Sequence, residues 1–545
     1  MFDKKGIALG VDDFKKIINE NCYYIDKTKF IENITKDKAE VKLFTRPRRF
    51  GKTLNMSMLK YFFDVENKEE NRKLFDGLYI ENSPVIEEQG KYPVIFISMK
   101  EIQASNFESC IETIKILLEN LFKNFRFLLK ELDELDKPTF MKYATQQIST
   151  EEAKKGLKVL SDLLSNYYNE KVVVLIDEYD SPLIAAYEHN YYDEAVLFFK
   201  GLYGNVLKTN LNLKMGVMTG IVRVAQAGIF SDLNNLIVYT ILDKEYSEYF
   251  GLTEDEVTKG LDYYDLEYNI EKVKEWYDGY KFGATEVYNP WSILNYISRK
   301  ELKAYWINTS SNVVIKEMLK NSGSDVFKIL EDLFSKRDVS VIVSDNIALG
   351  KQLAQSEVWE LLLFSGYLTV KEKVSQKEYL VRIPNQEILS FFKDTFLTIL
   401  FGELTIVKNA VDALLNKDID RIKEIIEKLV LNAMSIFDTD KRYENNYQLL
   451  LSGFFYALDG VYLVYPNTES GYGRADIILE ALDKTKPSYI LELKKADEKN
   501  IEKKAEKAAE QIENKKYDAV LERKGIKDIV KIGIAFDGKR AEFEY

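Results

Sequence analysis

Residues 46–53 read RPRRFGKT, and Gly51, Lys52 and Thr53 have the types and spacing of a phosphate-binding turn. Such a turn wraps backbone N–H groups round the anion, sets an ammonium on the β and γ oxygens and offers a hydroxyl to Mg²⁺. Arg46 stands where loops of this kind carry their first glycine. A second chemical stretch, KVVVLIDEYDSPL at 171–183, is a β-branched run suited to a strand buried on both faces, ending in Asp177 and Glu178. Carboxylates at the C-terminal end of such a strand lie where open α/β sheets bind ligands. Asp177 is therefore expected to hold Mg²⁺ through water and Glu178 to polarise an attacking water. LKMGVMTG at 213–220 predicts a strand ending in Thr219, placed to sense a γ-phosphate, with Arg223 just beyond to neutralise developing charge.

The third set lies in GYGRADIILEALDKTKPSYILELKKADEKN, 471–500. Strand alternation puts Ile490, Glu492 and Lys494 on one face. If ADIILE and YILELK pair about a turn centred near residue 484, Asp476 faces Glu492, because each is eight residues from that centre. Side chains directly opposite have Cβ atoms about 5 Å apart, close enough for two carboxylates to share a divalent cation. Lys494 beside that ion could orient or help deprotonate an attacking water.

These residues need elements to hold them. EVKLF (40–44) predicts a strand before the phosphate turn and LNMSMLKYFF (54–63) a helix after it, so that the helix N-terminus meets the anion. Residues 241–400 alternate amphipathic helices with short strands, FSGYLTV (364–370) and YLVRIPNQEI (379–388) among them. WYDGYKFG (276–283) and YNPWSIL (288–294) are aromatic loops punctuated by Gly and Pro.

At 545 residues and 46% hydrophobic, the chain has material for two to four domains. Its net charge of −12 argues against a generally basic nucleic-acid coat and leaves room for a local patch. With His189 the single histidine, in AYEHNYYDEA, zinc hydrolases, HNH and HD nucleases and Ser/His/Asp hydrolases have almost nothing to be built on. Catalysis must use carboxylates, lysines, arginines and oxygen-bound Mg²⁺. Cys22 and Cys110 lack metal-pair spacing, and MFDKKGIALG lacks an apolar signal segment, so a cytoplasmic, reduced protein is expected. No apolar run approaches the roughly 20 residues that span a bilayer.

YIDKT (24–28), RPRRFGKT, LIDEYDSPL, TGIVR (219–223), FSDLNNL (230–236), WYDGYKFG and YNPWSIL occur in the order of the bacterial AAA-ATPase-like family, which the first 300 residues resemble. The resemblance implies ATP and Mg²⁺ as cofactors. It also implies a loop without its first glycine, shaped instead by Pro47, Arg48 and Arg49. The G-x-x-x-D, hairpin, E-x-K arrangement resembles the PD-(D/E)XK nuclease superfamily over about 400–545. That likeness adds Glu444 as a metal ligand on the preceding helix and Gln511 on the following one, with Ala475 where a proline is usual.

The expected architecture is α/β: a P-loop NTPase parallel-sheet domain (1–240), a helical lid with a winged-helix-like region (241–400) and a restriction-endonuclease-like α/β domain (401–545). The expected function is ATP binding and hydrolysis coupled to Mg²⁺-dependent cleavage of DNA or RNA. The alternative is an ATP-dependent switch that binds nucleic acid or a partner protein through a catalytically inactive nuclease-like domain. An ATPase adaptor without a nucleic-acid role is a third possibility, and self-association stays open.

Overall fold

The computed structural model describes residues 4–208, 210–222, 229–230, 233–306, 329, 332–334, 337–343, 355–401, 405–436, 445–458, 460–538 and 540–545. The chain forms two compact units, Met1–Ser310 with Ser340–Glu387, and Ser311–Val339 with Ile388–Tyr545. No helix among the described residues is long and apolar enough to cross a membrane.

The first unit is built on a five-stranded sheet, β1 (Val41–Thr45), β2 (Val94–Ser98), β3 (Val172–Asp177), β4 (Leu213–Gly220) and β5 (Leu236–Tyr239), in the order β2-β3-β4-β1-β5. Every pairing is parallel. All six residues of β3 are buried, as its unbroken β-branched run requires of a strand covered on both faces. β4 separates β1 from β3, so Thr219 at its end lies between the phosphate turn and Asp177. The predicted strand 213–220 matches β4. The helix after the turn, Lys52–Phe63, starts two residues before the predicted 54. Gly51, the residue before it, has φ +80, a left-handed value that glycine adopts without steric cost.

Beyond the sheet, the first unit holds a hairpin of β6 (Tyr280–Phe282) and β7 (Thr285–Val287), a helix Pro290–Arg299 capped by the Asn289 side chain, and a small sheet of β8 (Val339–Ile342), β10 (Glu378–Arg382) and β9 (Thr369–Lys373). Two expectations change here. FSGYLTV is not one strand: a helix Gln355–Phe364 ends at its first residue, Gly366 at φ +85 makes the turn, and β9 starts at Thr369. In YLVRIPNQEI the strand stops at Arg382, and the helix Gln386–Phe401 begins after Pro384. Short apolar runs do not by themselves distinguish strand from helix end, and the Gly and Pro settle both cases.

Asp278 Oδ1, in WYDGYKFG, and the Tyr288 hydroxyl are both buried without a hydrogen-bond partner among the described residues. Burial pushes the Asp278 carboxyl up to about 6 from its ordinary 3.8. The folded state therefore holds this proton more tightly than the unfolded chain, and its contribution to stability is lost as pH rises from about 4 through 6. Asp278→Asn is expected to flatten that part of the melting profile and to raise the melting temperature at pH 8. The ceiling is about 1.4 kcal/mol per pKa unit. Thermal melts of both proteins between pH 4.5 and 8 check it, and parallel profiles would contradict it.

The second unit carries the sheet β11 (Tyr462–Ser470), β12 (Gly473–Ala481), β13 (Ser488–Lys495), β14 (Ile529–Asp537) and β15 (Arg540–Glu544), adjacent in chain order. It is mixed: β13 and β14 are parallel, joined through the helix Ile501–Lys515, and the other pairs are antiparallel. That helix buries Ala505, Ala508 and Ile512 against the sheet. A Cβ on Gly533 of β14 would come within 2.3 Å of the Ala505 carbonyl oxygen, so this close approach needs glycine. β12 and β13 pair Ile477 with Leu491, Ile478 with Ile490 and Leu479 with Tyr489, the register expected from a turn centred on residue 484. The ladder ends at Ile477 and Leu491, and one residue on, Asp476 lies beside Glu492, the Asp476 side chain accepting the Leu493 N–H.

Candidate active sites

The first site gathers the ends of β1, β3 and β4. Thr53 Oγ1 donates to Asp177 Oδ2 at 2.8 Å, and Thr219 Oγ1 donates to Asp177 Oδ1 at 2.5 Å. Asp177 is fully buried, with these two neutral hydroxyls on its oxygens, and burial raises its carboxyl above the ordinary value. Glu178 has φ +53, left-handed and costly for a residue with a Cβ. Its N–H donates to Thr219 Oγ1 at 3.2 Å, and its Oε2 accepts from the Ser181 hydroxyl at 3.2 Å. Lys52 is 5% exposed, and its ammonium donates to the carbonyls of Arg46 at 2.9 Å and Pro47 at 2.8 Å. Burial lowers its pKa, opposed by the charges of Glu178, Asp180 and Asp177. Arg48 is half-buried; Arg49 is exposed, at φ +66, with its guanidinium 4.5 Å from the centre of the Trp291 ring.

The second site lies on β12, β13 and the helix Ile501–Lys515. Glu492, 2% exposed, accepts at Oε1 from Lys494 Nζ at 2.7 Å and from Gln511 Nε2 at 2.5 Å, while its Oε2 is buried without a hydrogen-bond partner among the described residues. Asp476 Oδ2 accepts from the Leu493 N–H at 2.8 Å, and the Gln448 side chain reaches the Asp476 carbonyl at 2.9 Å. Burial, then the neighbouring Asp476 charge, pushes the Glu492 carboxyl up to about 7. Asp476, Glu492, Lys494 and Gln511 thus meet in one place. Arg223 and Glu444 lie outside the described residues. Among the described residues no group of three or more His, Cys, Asp or Glu side chains gathers to hold an ion.

Residues 8–230 match the family model described as a predicted AAA-ATPase, and residues 442–544 match a model of the PD-(D/E)XK nuclease superfamily. The chain carries an AAA-ATPase-like domain and a PD-(D/E)XK nuclease superfamily domain. It is also 24% identical over 409 residues to an uncharacterized protein encoded in the vnfD 5′ region of Azotobacter chroococcum mcd 1, covering 72% of this chain and 70% of that one.

In the AAA-ATPase-like domain, a buried carboxylate hydrogen-bonded to two hydroxyls and a buried ammonium hydrogen-bonded to two carbonyls fit a cation and a phosphate between them. Thr53, Asp177 and Lys52 could hold them. In the nuclease-superfamily domain, the orphaned Glu492 Oε2 beside Asp476 fits a divalent cation.

Sequence reasoning missed Asp180 of the AAA-ATPase-like domain. It is 1% exposed and accepts the N–H groups of Ile221 at 2.7 Å and Val222 at 3.0 Å, holding the chain as it leaves β4. Its signal was its place in LIDEYDSPL. YIDKT, by contrast, is a strut: Lys27 Nζ lies 2.7 Å from both Glu256 oxygens, and the Asp26 carboxylate accepts from Thr28 and from the Tyr79 N–H.

Proposed function

We propose that the AAA-ATPase-like domain binds and hydrolyses ATP with Mg²⁺, and that this site governs metal-dependent cleavage of DNA or RNA phosphodiesters by the nuclease-superfamily domain. Lys52 takes the β and γ phosphate oxygens, with Arg48, Arg49 and the N–H groups from Gly51 onward lining the loop. Thr53 and Asp177 hold Mg²⁺, Glu178 orients the attacking water, and Thr219 and Arg223 answer the γ-phosphate. At the second site Asp476, Glu492 and Glu444 are the ligand set. A bound divalent ion there would stabilise charge on the scissile phosphate and activate water. Lys494 orients that water, and Gln511 fixes the Glu492 carboxylate. The working divisions are 1–240, 241–400 and 401–545, in a cytoplasmic protein.

The observation that carries the nuclease reading is the buried Glu492 Oε2, which has no hydrogen-bond partner among the described residues, against the Asp476 strand. A purely structural ion pair has no use for an unmatched carboxylate oxygen, since leaving one buried costs about 1–3 kcal/mol. A second reading, binding without cutting, is favoured by the closed Lys494–Glu492–Gln511 contacts, which already occupy Oε1. Phosphate release from ATP and cutting of labelled DNA and RNA, followed on one preparation in Mg²⁺ and in EDTA, test the proposal. Both activities in Mg²⁺ alone are expected. Nucleic-acid binding in EDTA without cutting in Mg²⁺ would replace it with the second reading, and neither binding nor cutting would leave only an ATPase adaptor.

A further inference from the structure

Arg46 occupies the position of the missing loop glycine, and it is 0% exposed. Its Nη1 donates to its neighbour Thr45 at 2.8 Å and, across the sheet, to the carbonyl of Tyr239 at the end of β5, also at 2.8 Å. The guanidinium carbon lies 5.1 Å from the Phe250 ring centre and 5.5 Å from that of Phe282 on β6. Nε and Nη2 are buried without hydrogen-bond partners among the described residues, so the aromatic faces are the chief company of this charge. Burial brings its pKa down to about 9, the charge of Asp243 opposing the shift.

Its loop neighbours are anchored from outside as well, Phe50 in the same aromatic floor and Pro47 against Gly366. Phe50 packs 5.0 Å from the Tyr280 ring and 5.2 Å from the Phe282 ring. Pro47 lies against Gly366, where an added Cβ would stand 2.9 Å from Pro47 Cβ. The carbonyls of Arg46 and Pro47 are the two acceptors of the Lys52 ammonium. In an ordinary phosphate loop, glycine lets the backbone curve. Here the curve is held from outside by three side chains anchored in WYDGYKFG, β5 and the turn at Gly366.

We infer that Arg46 is a positioning residue for the nucleotide site: its buried side chain, clamped between the Tyr239 carbonyl and the Phe250 and Phe282 rings, sets the loop curvature that glycine sets elsewhere. The inference rests on the ATP-binding reading. Its consequence runs against sequence consensus, because Arg46→Gly, which restores the usual glycine, weakens ATP binding. Lysine can reach one carbonyl but has no plane to stack between rings, so Arg46→Lys restores only part.

The test compares wild type, Arg46→Gly, Arg46→Lys, Phe282→Leu and Lys52→Ala, each below its own melting temperature, by kcat and KM for ATP. Arg46→Gly is expected to raise KM at least tenfold with a smaller fall in kcat. Arg46→Lys should fall between it and wild type, and Phe282→Leu should move KM the same way by less. A wild-type or lower KM in folded Arg46→Gly overturns the inference. If Arg46→Gly does not fold, an unchanged KM in Phe282→Leu overturns it. ATP binding that Lys52→Ala removes and Arg46→Gly leaves intact sinks this inference alone, whereas a wild type that binds no ATP sinks the nucleotide reading with it.

Discussion

Lys52→Ala is expected to lower ATP turnover by about 10²- to 10³-fold, the usual cost of removing one group that stabilises transition-state charge. Two losses combine in this variant. The ammonium is the compact cation at the turn, buried to 5% exposure, and it also ties down the carbonyls of Arg46 and Pro47. Affinity should therefore fall along with rate. Glu178→Gln should behave differently, because glutamine keeps an acceptor for the Ser181 hydroxyl and removes only the ability to take a proton. That variant is expected to bind ATP at wild-type affinity and to turn it over slowly. Phosphate release and equilibrium ATP binding on both variants decide it. Equal turnover in wild type and Lys52→Ala would reject the lysine's role, and equal loss of affinity in the two variants would reject that of Glu178.

Asp476→Asn and Glu492→Gln are expected to abolish metal-dependent cutting while leaving the fold intact. Asparagine keeps an oxygen for the Leu493 N–H, and glutamine keeps one for Lys494 and Gln511, so each change removes charge and preserves the hydrogen bond. The Asp476 charge helps push the Glu492 carboxyl up, so neutralising either side relieves repulsion in the metal-free protein. Melting temperatures in EDTA should stay level or rise. Alanine is the poorer choice at 476, since it strands the Leu493 N–H at about 1–3 kcal/mol. Lys494→Ala should leave metal binding in place and slow attack. Melting in EDTA and cleavage in Mg²⁺, read on the same variants, check this, and destabilised Asn and Gln variants beside a wild type that never cuts would contradict it.

The strands were legible where local chemistry is one-sided. VVVLID could be little other than a strand covered on both faces, and the DKTKP turn carried enough punctuation to set the β12–β13 register, hence the facing of Asp476 and Glu492. What stayed hidden depends on partners far along the chain. Nothing near Arg46 announces Tyr239 or Phe282, and nothing near Glu387 announces that its buried carboxylate accepts the N–H groups of Tyr305 and Trp306 and the hydroxyl of Ser292. WYDGYKFG reads only as an aromatic loop for the same reason. Its aromatic spacing is visible in sequence, but its use as the floor under Phe50 and Arg46 appears only once the hairpin is folded against the loop.

The claim that joins the two domains is that the nucleotide site governs cutting. It is tested most directly by timing the nicking of plasmid in Mg²⁺, with and without ATP, by wild type and by Lys52→Ala. The account predicts that ATP changes the wild-type rate and leaves the Lys52→Ala rate unmoved. Identical rates in all four reactions would contradict it.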